Sequence, residues 1–365
     1  MSRDFIDALQ EIAKDKGIAQ EVLLDAIEAA LISSYKRNFN AAQNVRVDIN
    51  RNNGVIKVFA RKTVKEEVVD SRLEITLEAA QDINGNYQID DIAEVEVTPR
   101  DFGRIAAQTA KQVVTQRIRE AERGLIYNAF IDKEEDIVTG IVQRQDSRHL
   151  FVDLGKVEAV LPLTELMPTD SFKHLDRAKA FITKVENTTK GPQIILSRTH
   201  PGLLKRLFEL EVPEIYDGVV EIKSVAREAG FRSKIAVHSR NVEVDPVGSC
   251  VGPKGLRVQT IVNELKGEKI DIVRWSENIE EYVANALSPS KVLEVVVFEQ
   301  EKMARVIVPD YQLSLAIGIK GQNARLAAKL TGWKIDIKSE TQAEQEFGRP
   351  RTSSEVMHQD SVSID

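Results

Sequence analysis

A chain of 365 residues that is 42% hydrophobic and 29% charged has the composition of a globular protein of two or three domains, and no apolar run approaches the roughly 18 residues a membrane helix needs. One cysteine, Cys250, excludes an internal disulfide framework and a cysteine-rich zinc site, and the charged start MSRDFIDALQEIAKDKG lacks a signal-peptide core, so the expectation is a cytoplasmic protein with no membrane partner. The net charge of −7 argues against sequence-blind coating of nucleic acid; residues 201–340 balance at 20 basic and 20 acidic groups, so any such contact has to come from local placement.

Residues 1–128 read as a mixed α/β module. In AQEVLLDAIEAALISSYKRNF, Val22, Leu23, Ala26, Ile27, Ala30 and Leu31 recur at helical spacing. The runs NVRVDI, GVIKVFARKTV and DIAEVEVTP alternate as strands, and a long helix is predicted after Pro99 through RDFGRIAAQTAKQVVTQRIREAERGLIYNAF. Along that helix Arg104, Gln108 and Lys111 fall on nearly one face.

Residues 132–199 hold five short strand-like runs, DIVTGIVQRQ, HLFVDLG, VEAVLPLTE, AKAFITKVEN and QIILSRT, the pattern of a small barrel. Period two puts Leu150, Val152 and Leu154 on one face and His149, Phe151 and Asp153 on the other, so Phe151 falls on the polar face. His149 and His174 lack the further ligands a metal site requires, and no metal is expected.

From residue 200 an element order of helix, two strands, two helices separated by a glycine pair, and a strand occurs twice, over 200–276 and 277–344. Gly252 and Gly255 recur as Gly318 and Gly321, and Ile270-Asp271-Ile272 as Ile335-Asp336-Ile337. A glycine pair at a helix junction lets backbone approach a sugar-phosphate chain, and the uncapped first amides of the following helix favour an anion. Lys254 and Lys320 add charge at the third motif position. Val258, Ile261, Val262 and Leu265 in one helix, and Ala324, Ala327 and Ala328 in the other, are predicted to pack on a three-stranded sheet. Pro253 removes one amide donor from the first loop. Residues 345–365 are few in aliphatics and predicted to be disordered.

The segments PVGSCVGPKGLRVQTIVNELKGEKIDIVRW and AIGIKGQNARLAAKLTGWKIDI resemble type II KH domains, and the five-strand region resembles an S1 domain. The succession resembles the NusA family of transcription termination/antitermination proteins over nearly the whole chain. The resemblance implies a multidomain α+β fold: a mixed α/β N-terminal module, an OB-type S1 β-barrel and two tandem type II KH domains (αββααβ). It implies a non-catalytic factor, a monomer, that binds RNA polymerase through residues 1–128 and nascent single-stranded or hairpin RNA through the remainder, with other antitermination factors as further partners. The expected RNA contacts are Gly252, Pro253, Lys254, Gly255 and Arg257; Gly318, Ile319, Lys320, Gly321, Gln322 and Arg325; and Arg144, Arg148, His149, Phe151, Lys173 and His174 in the barrel. Arg104 and Lys111 match the family's basic helix that faces the emerging hairpin.

Enzymatic motifs fail on spacing. GSCVGPKG has three residues between Gly248 and Gly252 where a P-loop needs four, and its lysine precedes Gly255 rather than Ser or Thr. No catalytic residue and no cofactor are expected. Two alternatives remain: a ribosome-associated S1/KH protein, which would leave residues 1–128 without a purpose, and a phosphorolytic exonuclease, for whose catalytic core residues 1–128 are too short.

Overall fold

The computed structural model describes residues 3–39 and 44–347; nearly all of the predicted disordered tail, 345–365, lies outside the described residues. The chain divides into two compact units, 1–129 with 189–192, and 130–188 with 193–365.

The first unit contains α1 (Arg3–Lys16), α2 (Gln20–Asn38), β1 (Val45–Ile49), β2 (Ile56–Lys65), β3 (Glu74–Thr76), α3 (Leu77–Ile83), β4 (Ile92–Glu96) and α4 (Phe102–Ile131). Strand β2 is antiparallel to β1 and β4 and parallel to β3. Leu23, Leu24, Ile27 and Leu31 of α2 are fully buried with Val45, Val47 and Ile49 of β1 and Phe102, Ala106 and Ala110 of α4. The alternation of β1 is the one read from the sequence, whereas the α2 stripe is corrected, with Val22 exposed, Leu24 buried and Ala26 and Ala30 only half-buried at its border. Strand β3 and helix α3 were not anticipated: three and seven residues are too short to show a period. They hold because the Thr76 hydroxyl accepts from the Ala79 amide and because Ala80 closes a small core with Val64 and Ala93.

The second unit opens with β5 (Ile137–Gln145), β6 (His149–Asp153), β7 (Glu158–Pro162), β8 (Arg177–Thr188) and β9 (Gly191–Ser197), closed into a barrel in the order β5-β6-β7-β9-β8. The first repeat follows as α5 (Pro201–Glu211), α6 (Pro213–Tyr216), β10 (Val220–Glu228), β11 (Arg232–Ser239), α7 (Pro246–Val251), α8 (Leu256–Glu264) and β12 (Lys269–Arg274). The second runs α9 (Ile279–Ala286), β13 (Glu294–Phe298), β14 (Met303–Val308), α10 (Leu313–Ile317), α11 (Gln322–Thr331), β15 (Lys334–Ser339) and α12 (Glu340–Phe347). Each repeat's sheet has its first pair of strands antiparallel and its second parallel. The fold is multidomain α+β.

Strand β11 is buried on both faces from Ser233 to Val237. Ile235 and Val237 join Leu203, Phe208, Cys250, Ile261 and Leu265 of their own repeat's helices. Ala236, with Ala226 and Val273, joins Tyr282, Val283, Leu326, Ala327 and Leu330 of the second repeat. Small alanines on this back face leave room for α9 and α11 to approach the sheet. The buried stripe of α11 is Asn323, Leu326, Ala327 and Leu330, which corrects the alanine stripe read from the sequence; Ala324 and Ala328 are half-buried at its border.

Barrel and first repeat also share a core. Met167 and Phe181 pack with Leu203, Leu204 and Leu207, and the Phe181 ring stacks on His200 at 4.7 Å between centroids. Buried Arg198 donates to both Asp170 oxygens, at 2.8 and 2.9 Å, and to the Glu264 carbonyl at 3.2 Å. Buried Arg227 makes two 2.9 Å bonds to Glu268 and one of 2.8 Å to the His200 carbonyl.

Candidate nucleic-acid interface

The two glycine loops have one backbone shape. Gly252, Lys254 and Gly255 sit at φ/ψ of 73/173, 53/24 and 76/15°; Gly318, Lys320 and Gly321 sit at 77/172, 53/29 and 74/16°. The sequences differ (GPKG and GIKG) but the torsions agree within about 5°. In each loop the first glycine is required from inside. A Cβ on Gly252 would lie 2.6 Å from the Cγ of Arg257, and one on Gly318 would lie 2.8 Å from the backbone nitrogen of Asn323. The second glycine is different: nothing stands within 4 Å of a Cβ on Gly255, and only an Arg325 nitrogen, at 3.9 Å, near one on Gly321. That open side is where a ligand backbone can come close.

The lysines between them hold a left-handed conformation that costs an L-residue about 1–2 kcal/mol. Both are exposed, and neither makes an ion pair among the described residues. The helices that follow, α8 and α11, start at Gly255 and Gly321 with no side chain capping their first amides. The expectation of free first amides is corrected: the Gly255 and Gly321 amides donate to the Gly252 and Gly318 carbonyls, and the Leu256 and Gln322 amides to the Pro253 and Ile319 carbonyls, which leaves the exposed lysine as the charged group each loop presents. Ile319 caps the second loop with an apolar tip that is 84% exposed.

Three of the expected contacts are turned to internal use. Arg257 donates to Glu214 at 2.9 Å and to the Ser249 carbonyl at 2.6 Å. Arg325 donates to Glu228 at 2.7 Å and to the Lys320 carbonyl at 3.2 Å, and Gln322 donates to Glu228 at 2.9 Å. The hydrogen bond from Arg325 holds the Glu228 carboxyl below the usual carboxylate range.

In the barrel, Phe151 lies off the core face, with Leu150 and Val152 buried on either side of it. Cross-strand pairing sets Arg144 opposite Phe151, and the guanidinium lies 3.6 Å from the ring centroid. His149 meets the same ring edge-on at 6.1 Å. Arg144 is also paired with Glu158 at 2.7 Å. His174 approaches the Gln143 carbonyl at 2.7 Å, one residue from Arg144. Arg148 and Lys173 are exposed and make no ion pair among the described residues. The Asp146 side chain accepts the amides of Arg148 and His149 and thereby shapes the turn between β5 and β6; the Arg148 amide foremost holds the Asp146 carboxyl below its ordinary range. In the first unit, Arg104, Gln108 and Lys111 are all exposed on α4.

One cluster escaped the sequence reading. Trp275, just past β12, meets His238 edge-on at 5.2 Å and Lys223 at 5.2 Å, beside a cleft of about 310 Å³ lined by Ser239, Pro246 and Arg274. Its signal was the tryptophan that follows the first KIDIVR, where the second copy, KIDIKS, has none.

Four family models match the chain in series: NusA N-terminal domain over residues 4–124, S1 RNA binding domain over 131–198, NusA-like first KH domain over 198–275 and NusA-like second KH domain over 279–345. The transcription termination/antitermination protein NusA of Halalkalibacterium halodurans is 76% identical over 348 residues, covering 95% of this chain and 91% of that protein. The chain belongs to the NusA family. The NusA proteins of Bacillus subtilis and Thermus thermophilus are 71% and 42% identical, covering 94% and 92% of this chain and 92% and 89% of their own lengths. In NusA terms the two repeats are its KH domains and the barrel is its S1 domain. Among the described residues no helix is long and apolar enough to cross a membrane.

Proposed function

We propose that this NusA family chain is an RNA-binding transcription elongation factor that docks on RNA polymerase through its N-terminal unit and holds nascent RNA on S1 and the two KH domains. By fixing the transcript it biases pausing, hairpin formation, intrinsic termination and antitermination, without catalysing a reaction. The observation that carries this reading is the duplicated loop: one backbone shape, built twice with proline or isoleucine at its second position, each presenting an exposed left-handed lysine at the start of a helix that no side chain caps. A phosphate bound there gains charge-assisted hydrogen bonds, and a KH loop of this kind grips about four single-stranded nucleotides.

Lys254, Lys320, Gly255 and Gly321 are the proposed phosphate contacts, with Pro253 making the first loop the weaker because it lacks an amide that Ile319 has. Arg257, Gln322 and Arg325 support the loops. In S1, Arg144, His149 and Phe151 form the proposed stacking platform, flanked by Arg148, Lys173 and His174, with the Arg144 guanidinium itself a plane for a base. Arg104 and Lys111 are proposed to meet a hairpin emerging from polymerase. The protein acts as a cytoplasmic monomer, and other antitermination factors are proposed as further partners.

The test is transcription by purified RNA polymerase through a hairpin pause, with wild-type protein and with Ile319→Asp/Lys320→Asp. The wild type is expected to lengthen the pause and the variant to lose most of that effect while still binding polymerase. A ribosome-directed protein would instead leave the pause untouched and be retained by ribosomes.

A further inference from the structure

The two KH loops share a shape but not a foundation. In the first domain the residue five places after the leading glycine is Arg257, and it is held within its own domain by Glu214 of α6 and by the Ser249 carbonyl. In the second domain the corresponding residue is Asn323, only 4% exposed, on which Gly318 rests. Its amide donates to the Leu287 and Ala316 carbonyls, each at 3.0 Å. The next carbonyl along, that of Ser288, accepts from the buried ammonium of Lys234 at 2.7 Å, and Lys234 belongs to β11 of the first domain. On the other side of the loop, Arg325 holds the Lys320 carbonyl with one nitrogen and Glu228 with another, while Gln322, the first residue of α11, holds the second Glu228 oxygen. Glu228 ends β10, again in the first domain.

We infer that Glu228 is a positioning residue for the second KH loop: the first domain's sheet braces that loop, whereas the first loop is braced from within its own domain. This rests on the proposed RNA-binding role of the loop. The chemistry favours positioning over contact. A carboxylate near a phosphate track repels it, yet both Glu228 oxygens are taken up by Arg325 and Gln322, and its side chain is 18% exposed. The ion pair sets the Arg325 guanidinium where it also donates to the Lys320 carbonyl, tying the left-handed turn of the second loop to the first domain. Dependence runs one way: the second loop leans on the first domain, and among the described residues the bonds that hold Arg257 under the first loop stay within its own domain.

The experiment measures binding of the full chain to a labelled, unstructured RNA of roughly a dozen nucleotides, long enough for two KH grooves, across a salt series. Glu228→Ala is expected to weaken binding roughly five- to tenfold with an unchanged dependence on salt, because no cation is lost from the RNA surface. Ile319→Asp/Lys320→Asp is expected to weaken binding and reduce the salt slope by about 1. Glu228→Ala added to that loop variant is expected to cost nothing more. Unchanged or tighter RNA binding by Glu228→Ala, or an equal further loss on top of the loop variant, overturns the inference. If the loop variant binds RNA as the wild type does, the RNA role of the loop falls instead. The bracing is then read from amide hydrogen exchange, which Glu228→Ala should accelerate at 319–322 and leave unchanged at 254–257; equal exchange at both loops overturns it. Glu228→Gln, which keeps an acceptor for Arg325, should fall between wild type and Glu228→Ala and guards against a folding defect.

Discussion

At the scale of single residues, the glycines of each loop do different jobs, and substitutions should separate them. Gly318 adopts φ 77° and ψ 172°, a region essentially closed to other residues, and a Cβ there would strike the backbone of Asn323. Gly318→Ala should therefore distort the loop, lowering stability by about 1–3 kcal/mol as well as RNA affinity. Gly321 sits in the ordinary left-handed well, with open space where a Cβ would go. Asparagine tolerates that well, so Gly321→Asn should melt within a few degrees of wild type yet bind RNA about tenfold more weakly, its side chain standing in the path of the phosphate. Denaturant unfolding paired with RNA titration checks both. Cys250 offers a separate expectation. It is fully buried, and burial pushes its thiol up to about 12, so at pH 8 the native protein should resist iodoacetamide that labels the unfolded chain at once.

At the scale of elements, the buried ion pairs decide how the domains join. Burial by itself would push the Glu268 carboxyl up, but Arg227, the Ser233 hydroxyl and the Gly230 amide outweigh it and hold that carboxyl below its ordinary 4.5. A carboxylate whose folded value is depressed contributes stability that is complete above its unfolded value and is lost as pH falls through the folded one. Wild type should accordingly lose stability below about pH 4.5. Glu268→Gln should be less stable at pH 7 by about 3 kcal/mol, and the gap should narrow as pH drops from 5 to 3, read by urea midpoints at each pH. How legible was this in the sequence? Period two in HLFVD and the stripe Val258, Ile261, Val262, Leu265 gave the barrel strand and the helix face, because each has one wet and one dry side. The duplicated glycines gave the loops, because backbone demands fix residue identity. Partners far apart in the chain stayed hidden: Arg325 and Glu228 are 97 residues apart, and a helix arginine looks the same whether it faces a phosphate or a carboxylate. The second buried face of β11 was hidden for a related reason: Ala226 and Ala236 are too small to advertise burial.

At the scale of the whole molecule, a chain of net charge −7 has to hold RNA with a few well-placed cations, and their precision depends on rigid support. S1, first KH and second KH domains supply it by sharing cores: Phe181 of the barrel packs with Leu203 and Leu207 of the first KH domain, and Ala236 of that domain packs with Leu326 and Ala327 of the second. Domains that each complete their neighbour's core cannot unfold independently without exposing that neighbour's apolar face, at about 25 cal/mol for each Å² uncovered. The core around Leu24, Ile27, Val47 and Ala106 lies wholly in the first unit. Calorimetry of the full chain should thus resolve two transitions rather than four, one for the N-terminal unit and one for S1 with both KH domains. Asp170→Asn strips Arg198 of its buried partner, a change of about 3–5 kcal/mol. It should lower the larger transition as a whole, carrying the second KH domain down with the barrel, and leave the smaller one where it was. A third transition appearing in that variant would mean that the domains melt separately and that the shared cores couple them only weakly.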